Sequence, residues 1–224
     1  MTNYDIFAYN FPHWKTEQGL LNLVINCIDI KTVILQEKKQ LSIPTSNYKF
    51  TPQNEFIIHP QDLCNQFNLK FKVSDHDEFE PTSEYAIILG ARILKKSTVE
   101  KYKTILNLHP GILPGNRGLD NLKWSIINKL PIGVTAHFID EKIDMGQIIA
   151  TATIDINKHD TIESCYLKQR QLEQKLLIDV VTNPIKKTIP CTYSTKFSAV
   201  PDYLDVNIKK YFDEYISELP NIRQ

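Results

Sequence analysis

Short apolar bursts alternate with longer stretches of mixed polarity along the first half of the chain. "YDIFAYN" (4–10), "KTVILQ" (31–36), "EFIIHP" (55–60), "LKFKV" (69–73) and "EYAIILGA" (84–91) have strand length and are rich in β-branched and aromatic residues. Between them, "TEQGLLNLVINCI" and "PQDLCNQFN" carry helical spacing, the second with Pro60 near its start. "AIILGA" is almost continuously apolar, as a parallel strand covered by helices on both faces must be. Next come "KKSTVEKY" as a short helix, "TILNLHP" as a strand, and "LDNLKWSIINKL" as a helix with Leu119, Leu122, Ile126 and Leu130 on one stripe. "IGVTAHFID" (132–140) and "QIIATATIDI" (147–156) are separated by a short turn containing Gly146, which predicts an antiparallel pair and a mixed sheet. Asp160 followed by Glu163 predicts a capping box that opens a long helix to about Val181, with Leu172, Leu176 and Val180 on one face. The expected fold is α/β: a mostly parallel sheet flanked by helices over 1–183, with a small C-terminal appendage over 184–224. That appendage holds "TYSTKF", "AVPDYL" and the amphipathic "NIKKYFDEYISEL".

Composition narrows the class. At 224 residues, 42% hydrophobic and 23% charged, the chain is long enough for one sizeable core. Lys+Arg 26 against Asp+Glu 26 gives no broad basic footprint, so nucleic acid is not the expected partner. Cys27, Cys64, Cys165 and Cys191 are scattered without a CxxC pair, which fits reduced thiols and speaks against a disulfide framework or a zinc site; no metal is expected. No window approaches 18 apolar residues and the N-terminus is polar, so a cytoplasmic chain without membrane association is expected. Tyr203, Leu204, Ile208, Tyr211, Phe212, Tyr215 and Ile216 give the tail more apolar surface than a short appendage needs. It either covers the core or forms a homodimer interface.

Candidate chemistry concentrates where the glycines do. Six of the seven glycines, Gly90, Gly111, Gly115, Gly118, Gly133 and Gly146, fall between residues 90 and 146, the interval of tightest turns or closest ligand approach. In "NLHPGILPGNRG" (107–118), Asn107 and His109 stand two apart on a strand, on one face and roughly 6–7 Å apart. At the C-terminal end of a parallel strand that face opens onto the crevice where α/β sheets bind ligands, and an amide beside an imidazole can donate hydrogen bonds to a developing oxyanion. Tyr9, Phe11, His13 and Trp14 cluster where the first strand ends, and either stack on a base or sugar or close the core. His137 reads as structural, Trp124 with its helix as core, and His59-Pro60 with "SDHDEFE" (74–80) as solvated loop rather than metal ligands.

"NLHPGILPGNRG" followed by "PIGVTAHFIDEKIDMGQII" resembles the N10-formyltetrahydrofolate-dependent formyltransferases, which include glycinamide ribonucleotide, methionyl-tRNA and sugar N-formyltransferases. The clear resemblance spans about residues 84 to 156. It implies a formyltransferase-type Rossmann-like sheet, with Asn107, His109 and Asp144 as the catalytic group. It also implies a folate donor held by Gly90, Ala91, Arg92, Ile93, Leu94, Ile112, Leu113, Asp140 and Ile143, and an acceptor met by Tyr9, Phe11, His13, Trp14, Gly111 and Arg117. The expected reaction is attack of an amine on the formyl carbon of N10-formyltetrahydrofolate, with Asp144 holding His109 in its charged form, positioning a water, or taking the amine proton through it. "AYNFPHWKTEQG" has no glycine-rich loop for the phosphate of glycinamide ribonucleotide. By the same resemblance, methionyl-tRNA enzymes add a sizeable C-terminal RNA-binding domain and deformylases an N-terminal regulatory domain, and neither is expected from this sequence. A nucleotide-linked 3- or 4-amino deoxysugar is therefore the expected acceptor. Another amine, donor hydrolysis, or an inactive folate-binding relative stand as alternatives.

Overall fold

The computed structural model describes residues 2–38, 58–140, 144–183, 187–192 and 196–219. In chain order these form β1 (Asn3–Tyr9), α1 (Trp14–Ile25), β2 (Asp29–Gln36), α2 (Pro60–Gln66), β3 (Phe71–Val73), β4 (Tyr85–Ile88), α3 (Lys96–Val99), β5 (Thr104–His109), β6 (Arg117–Gly118), α4 (Asn121–Ile127), β7 (Gly133–Phe138), β8 (Gln147–Thr153), α5 (Ile162–Thr182), β9 (Ile189–Pro190), β10 (Lys196–Phe197), α6 (Asp202–Asp205) and α7 (Ile208–Ser217). Of the strand expected over 55–60, residues 55–57 lie outside the described residues; Ile58 and His59 are not strand, and Pro60 opens α2.

One sheet runs β3-β2-β1-β4-β5-β7-β8-β9, parallel as far as β5 and antiparallel beyond it. The mixed sheet and the β7–β8 pair agree with the sequence pattern. Side-chain parity sorts the core into two faces. Ile6, Ala8, Val33, Leu35, Ile87, Leu106, Leu108, Val134 and Ala136 pack with Leu20 and Leu23 of α1 and with Leu176 and Leu177 of α5. Phe7, Ile34, Ala86 and Ile105 pack on the opposite face with Phe79 and Tyr102. Two buried faces leave no polar register, which is why "AIIL" does not alternate. By the same parity, Asn107 and His109 of β5 and Thr135 and His137 of β7 share the face of Ile105. Strand order reverses between β1 and β4, which places a crevice at the carboxyl ends of these strands.

Local chemistry moves several element ends from where periodicity puts them. α1 starts at Trp14, because the His13 side chain caps it by accepting from the Thr16 amide at 3.4 Å. α4 covers only the middle of its expected stripe: Leu122 and Ile126 are buried, Leu119 is 56% exposed ahead of the helix, and Leu130 follows its end. The capping box of α5 is Thr161 with Ser164, not Asp160 with Glu163. Thr161 Oγ1 accepts from the Ser164 amide at 3.1 Å and Ser164 Oγ from the Thr161 amide at 2.9 Å, while Asp160 accepts from the Ser164 hydroxyl and Lys168.

The described part of the tail packs on the sheet domain. Ile208, Phe212 and Tyr215 of α7 share a cluster with Leu122, Ile126, Ile132, Ile154, Ile162 and Cys165, so α7 covers core. Trp124 stacks on Phe197 at 4.8 Å and donates its indole N–H to the Ser198 carbonyl at 2.8 Å, joining α4 to the tail. Lys123 of α4 and Asp205 of α6 form an ion pair whose side chains are 2% and 1% exposed. Removing one partner of such a pair strands a buried charge. Asp205→Ala is expected to lower the unfolding free energy in urea by about 3–5 kcal/mol; a loss below about 1 kcal/mol, the range of exposed pairs, would show that the pair does not hold the tail.

Candidate active site

β4 pairs with β5 only as far as Ile88 opposite Asn107. Beyond that point the amides of Leu89 and Gly90 both turn to the Phe7 carbonyl of β1, at 2.9 and 3.1 Å. The end of β5 therefore emerges without a parallel neighbour, carrying Asn107 half-buried and His109 buried. Side chains fasten the loop that follows. The Thr135 hydroxyl donates to the Gly111 carbonyl at 2.7 Å and accepts from the Leu113 amide at 3.0 Å; the Gln169 amide donates to the Pro110 and Gly133 carbonyls at 3.1 and 2.9 Å. A Cβ at Gly111 would lie 2.6 Å from the Asn116 carbonyl oxygen and 3.0 Å from His109 Nε2, so glycine lets the loop close on the imidazole. Gly118, at φ 98°, sits against the Phe197 carbonyl and donates its amide to Asp144 Oδ2 at 3.1 Å.

The His109 ring is held at both nitrogens. Nε2 lies 2.8 Å from the Asn116 carbonyl, an acceptor, which places a proton on Nε2; Asn121 Nδ2 lies against the same carbonyl at 3.1 Å. Nδ1 faces Asp144 Oδ1 at 3.5 Å. A second proton, on Nδ1, would create an imidazolium–carboxylate pair. Burial opposes it: the His109 pKa is held below the ordinary 6.5 by desolvation first, although Asp144 and the Asn116 carbonyl pull it upward. Burial thus holds His109 toward its neutral form, against the pull of Asp144 and of the Asn116 carbonyl.

His137 is more than the structural residue its sequence position suggests. The β5–β7 register sets it opposite Asn107, fully buried, and Asn107 Nδ2 donates to its Nε2 at 3.2 Å. Its proton then belongs on Nδ1, which lies 3.3 Å from the Phe138 carbonyl. Burial, with His109 nearby, pushes its pKa down to about 4, so a neutral acceptor fixes the Asn107 amide. Strand register, which single-sequence periodicity leaves open, is the signal that finds it.

The other expected site residues divide. At the end of β1, Tyr9 stacks on Phe11 with ring centroids 4.8 Å apart, and His13 meets Tyr9 edge-on at 5.0 Å. Trp14 carries the Arg170 guanidinium 3.7 Å over its ring. All four are half-buried, at the rim rather than in the core. Gly90 is buried against Tyr9, and Ala91, Arg92, Ile93 and Leu94 line a cavity of about 550 Å³ with Tyr9 and Gln36. Ile112 is half-buried, Leu113 and Arg117 are buried, and Asp140 is exposed; Ile143 lies outside the described residues. The 74–80 stretch is not simply solvated: His76 is 1% exposed, donating from Nε2 to the Ala8 and Ile34 carbonyls at 3.0 and 3.1 Å. His59 caps α2, accepting from the Gln61 amide at 3.3 Å. Among the described residues no helix is long and apolar enough to cross a membrane.

A family model described as Formyl transferase matches residues 30–181. The chain is 36% identical over 128 residues to phosphoribosylglycinamide formyltransferase of Bacillus subtilis (strain 168), covering 56% of this chain and 66% of that protein. It is 38% identical over 74 residues to dTDP-4-amino-4,6-dideoxyglucose formyltransferase of Mycobacterium bovis, covering 33% of this chain and 32% of that protein. The chain thus spans less than two thirds of the length of either relative. The fold is shared with the formyltransferase PseJ from Anoxybacillus kamchatkensis, solved with UDP-4,6-dideoxy-4-formamido-L-AltNAc and tetrahydrofolate. The TM-score is 0.56 at 19% identity, over 94% of this chain and 99% of that one.

The buried histidines give stability a pH dependence. His13 and His137 are pushed down to about 4, and His76 and His109 lie below 6.5, in each case by desolvation first. The folded chain then binds fewer protons than the unfolded one below 6.5, so the contribution is complete above that value and is lost as pH falls toward 4. The urea midpoint is expected to drop steadily across this window. A flat midpoint from pH 6.5 to 4 would contradict neutral burial of these rings.

Proposed function

The chain belongs to the formyl transferase family, and on that premise we propose that it moves a formyl group from N10-formyltetrahydrofolate to the amine of a nucleotide-linked amino deoxysugar. The observation that carries the reading is the juxtaposition of Asn107 and His109 at the open end of β5, with Asp144 against the Nδ1 of His109. In this mechanism the neutral amine attacks the formyl carbon and negative charge grows on the formyl oxygen. Asn107, with one amide hydrogen engaged by His137, offers its other to that oxygen. His109 starts neutral, and the growing negative charge together with Asp144 favours its protonation. The amine proton passes by way of His109 and Asp144 to N10. The new C–N bond is completed as the C–N10 bond breaks, and tetrahydrofolate leaves with the proton the amine lost.

Gly90, Ala91, Arg92, Ile93, Leu94, Ile112, Leu113 and Asp140 are assigned to the donor. A cavity of about 550 Å³ beside residues 91–94 is within the range of small-molecule sites. Tyr9, Phe11, His13, Trp14, Gly111 and Arg117 are assigned to the acceptor. The Mycobacterium bovis relative, named for a dTDP-amino sugar, and PseJ, solved with a UDP-linked formamido sugar, support a nucleotide sugar as acceptor. The second reading, glycinamide ribonucleotide as acceptor, is favoured by the identity with the Bacillus subtilis relative.

Incubating the chain with N10-formyltetrahydrofolate and a panel of acceptors separates these readings by mass. The panel holds dTDP- and UDP-linked amino deoxysugars, glycinamide ribonucleotide and charged initiator tRNA. Gain of one CO by a nucleotide sugar is expected; gain by another acceptor alone overturns the sugar assignment, and donor hydrolysis with every acceptor unmodified indicates a deformylase. His109→Ala should reduce turnover by about 10²–10³ or more while folate binding persists. Near-normal turnover in that variant would overturn the mechanism.

A further inference from the structure

α1 and α5 close over the end of β5 from the first core face. Lys15, in the first turn of α1, reaches across the sheet. Its Nζ donates to the carbonyl of Leu108, the residue between Asn107 and His109, at 2.7 Å. The same Nζ lies 2.7 Å from Glu173 Oε1 on α5, and the two side chains are 19% and 8% exposed. Leu108 stands one residue past the last β4–β5 pair, Ile88 with Asn107. A lysine thus occupies the place of a missing strand neighbour, and a carboxylate from a third element holds the lysine.

We infer that Lys15, held by Glu173, is a positioning residue for formyl transfer: it fixes the last turn of β5, and with it the spacing and aim of Asn107 and His109. The inference rests on the roles proposed above for Asn107 and His109 in formyl transfer. A lysine stem that only filled space would need neither the directed bond to Leu108 nor a buried counter-charge.

The same pair has an electrostatic signature. His109 is faced by Asp144 from the turn before β8, His137 from β7, Lys15 from α1 and Glu173 from α5. Among these, Lys15 pulls its pKa down and Glu173 pulls it up. Deleting one member leaves the other unopposed. Lys15→Met should therefore move the His109 titration upward and Glu173→Gln should move it downward, a pair of opposite signs that reports the charges facing the ring, while the kcat loss with unchanged donor KM and its recovery in Lys15→Arg report positioning.

Lys15→Met, Lys15→Arg and Glu173→Gln in the full chain test this. Two readouts are needed: kcat and donor KM for transfer to the acceptor that the panel identifies, and the His109 titration of the free protein by nitrogen-15 NMR. Lys15→Met is expected to lower kcat by about 10- to 100-fold with donor KM unchanged, because a small misplacement of reacting groups costs that much. Lys15→Arg, which can still reach both oxygens, should recover most of the loss. An unchanged kcat in folded Lys15→Met, a loss confined to KM, or His109 shifts of the same sign in the two charge variants would each overturn the inference. If His109→Ala itself retains turnover, the proposed mechanism fails instead, and the NMR shifts still decide whether Lys15 and Glu173 govern that ring.

Discussion

The divergence of β4 from β5 after the Ile88–Asn107 pair is the constraint on which the site depends. Once Leu89 and Gly90 commit their amides to Phe7, the polar groups at the end of β5 lose the ladder that would otherwise satisfy them. Side chains replace it. Lys15 takes the Leu108 carbonyl, Gln169 the Pro110 carbonyl, Thr135 the Gly111 carbonyl, and His109 the Asn116 carbonyl. A gap between parallel strands becomes a crevice whose floor is built from groups drawn from α1, α5, β7 and the 110–118 loop. Such a floor is fastened by the chain's own hydrogen bonds, and fixed donors are the condition for electrostatic stabilisation of a transient charge.

Burial then sets the charge state. His109 and His137 are both buried, with ring centroids 6.4 Å apart, and desolvation pulls both toward the neutral form against the pull of Asp144. A neutral His137 can accept from the Asn107 amide; a protonated one would have to turn it away. A neutral His109 beside a carboxylate is a proton acceptor in waiting. Position and protonation state come from one cause, the packing of β5 and β7 into a single buried face.

The sheet was largely legible in the sequence because its signals are local. β-branched runs, a continuous apolar β4 and the short turn before β8 are each readable within a few residues, and the Asn-x-His spacing puts two side chains on one face without knowledge of neighbouring strands. Contacts that join distant segments were not legible. His137 depends on the register between β5 and β7, Lys15 meets Glu173 across two helices far apart in the chain, and His76 is buried because its turn folds back beneath β1 and β2. The capping box slipped by one residue because Thr161 and Ser164 satisfy each other's backbone amides, which Asp160 and Glu163 match only in pattern. The tail carried an ambiguous signal, an aromatic stripe that fits a core or an interface equally well; α7 meets α4 through Phe212 and Tyr215.

In the proposed reaction the formyl group reacts in the gap beyond Ile88 and Asn107. The position of the formyl oxygen, in a crystal of this chain with an unreactive folate carrying a formyl group at the N10 position, tests it most directly. That oxygen should lie about 3 Å from Asn107 Nδ2 and within reach of the His109 ring. A formyl group ordered elsewhere, out of hydrogen-bonding distance of both residues, would contradict the claim.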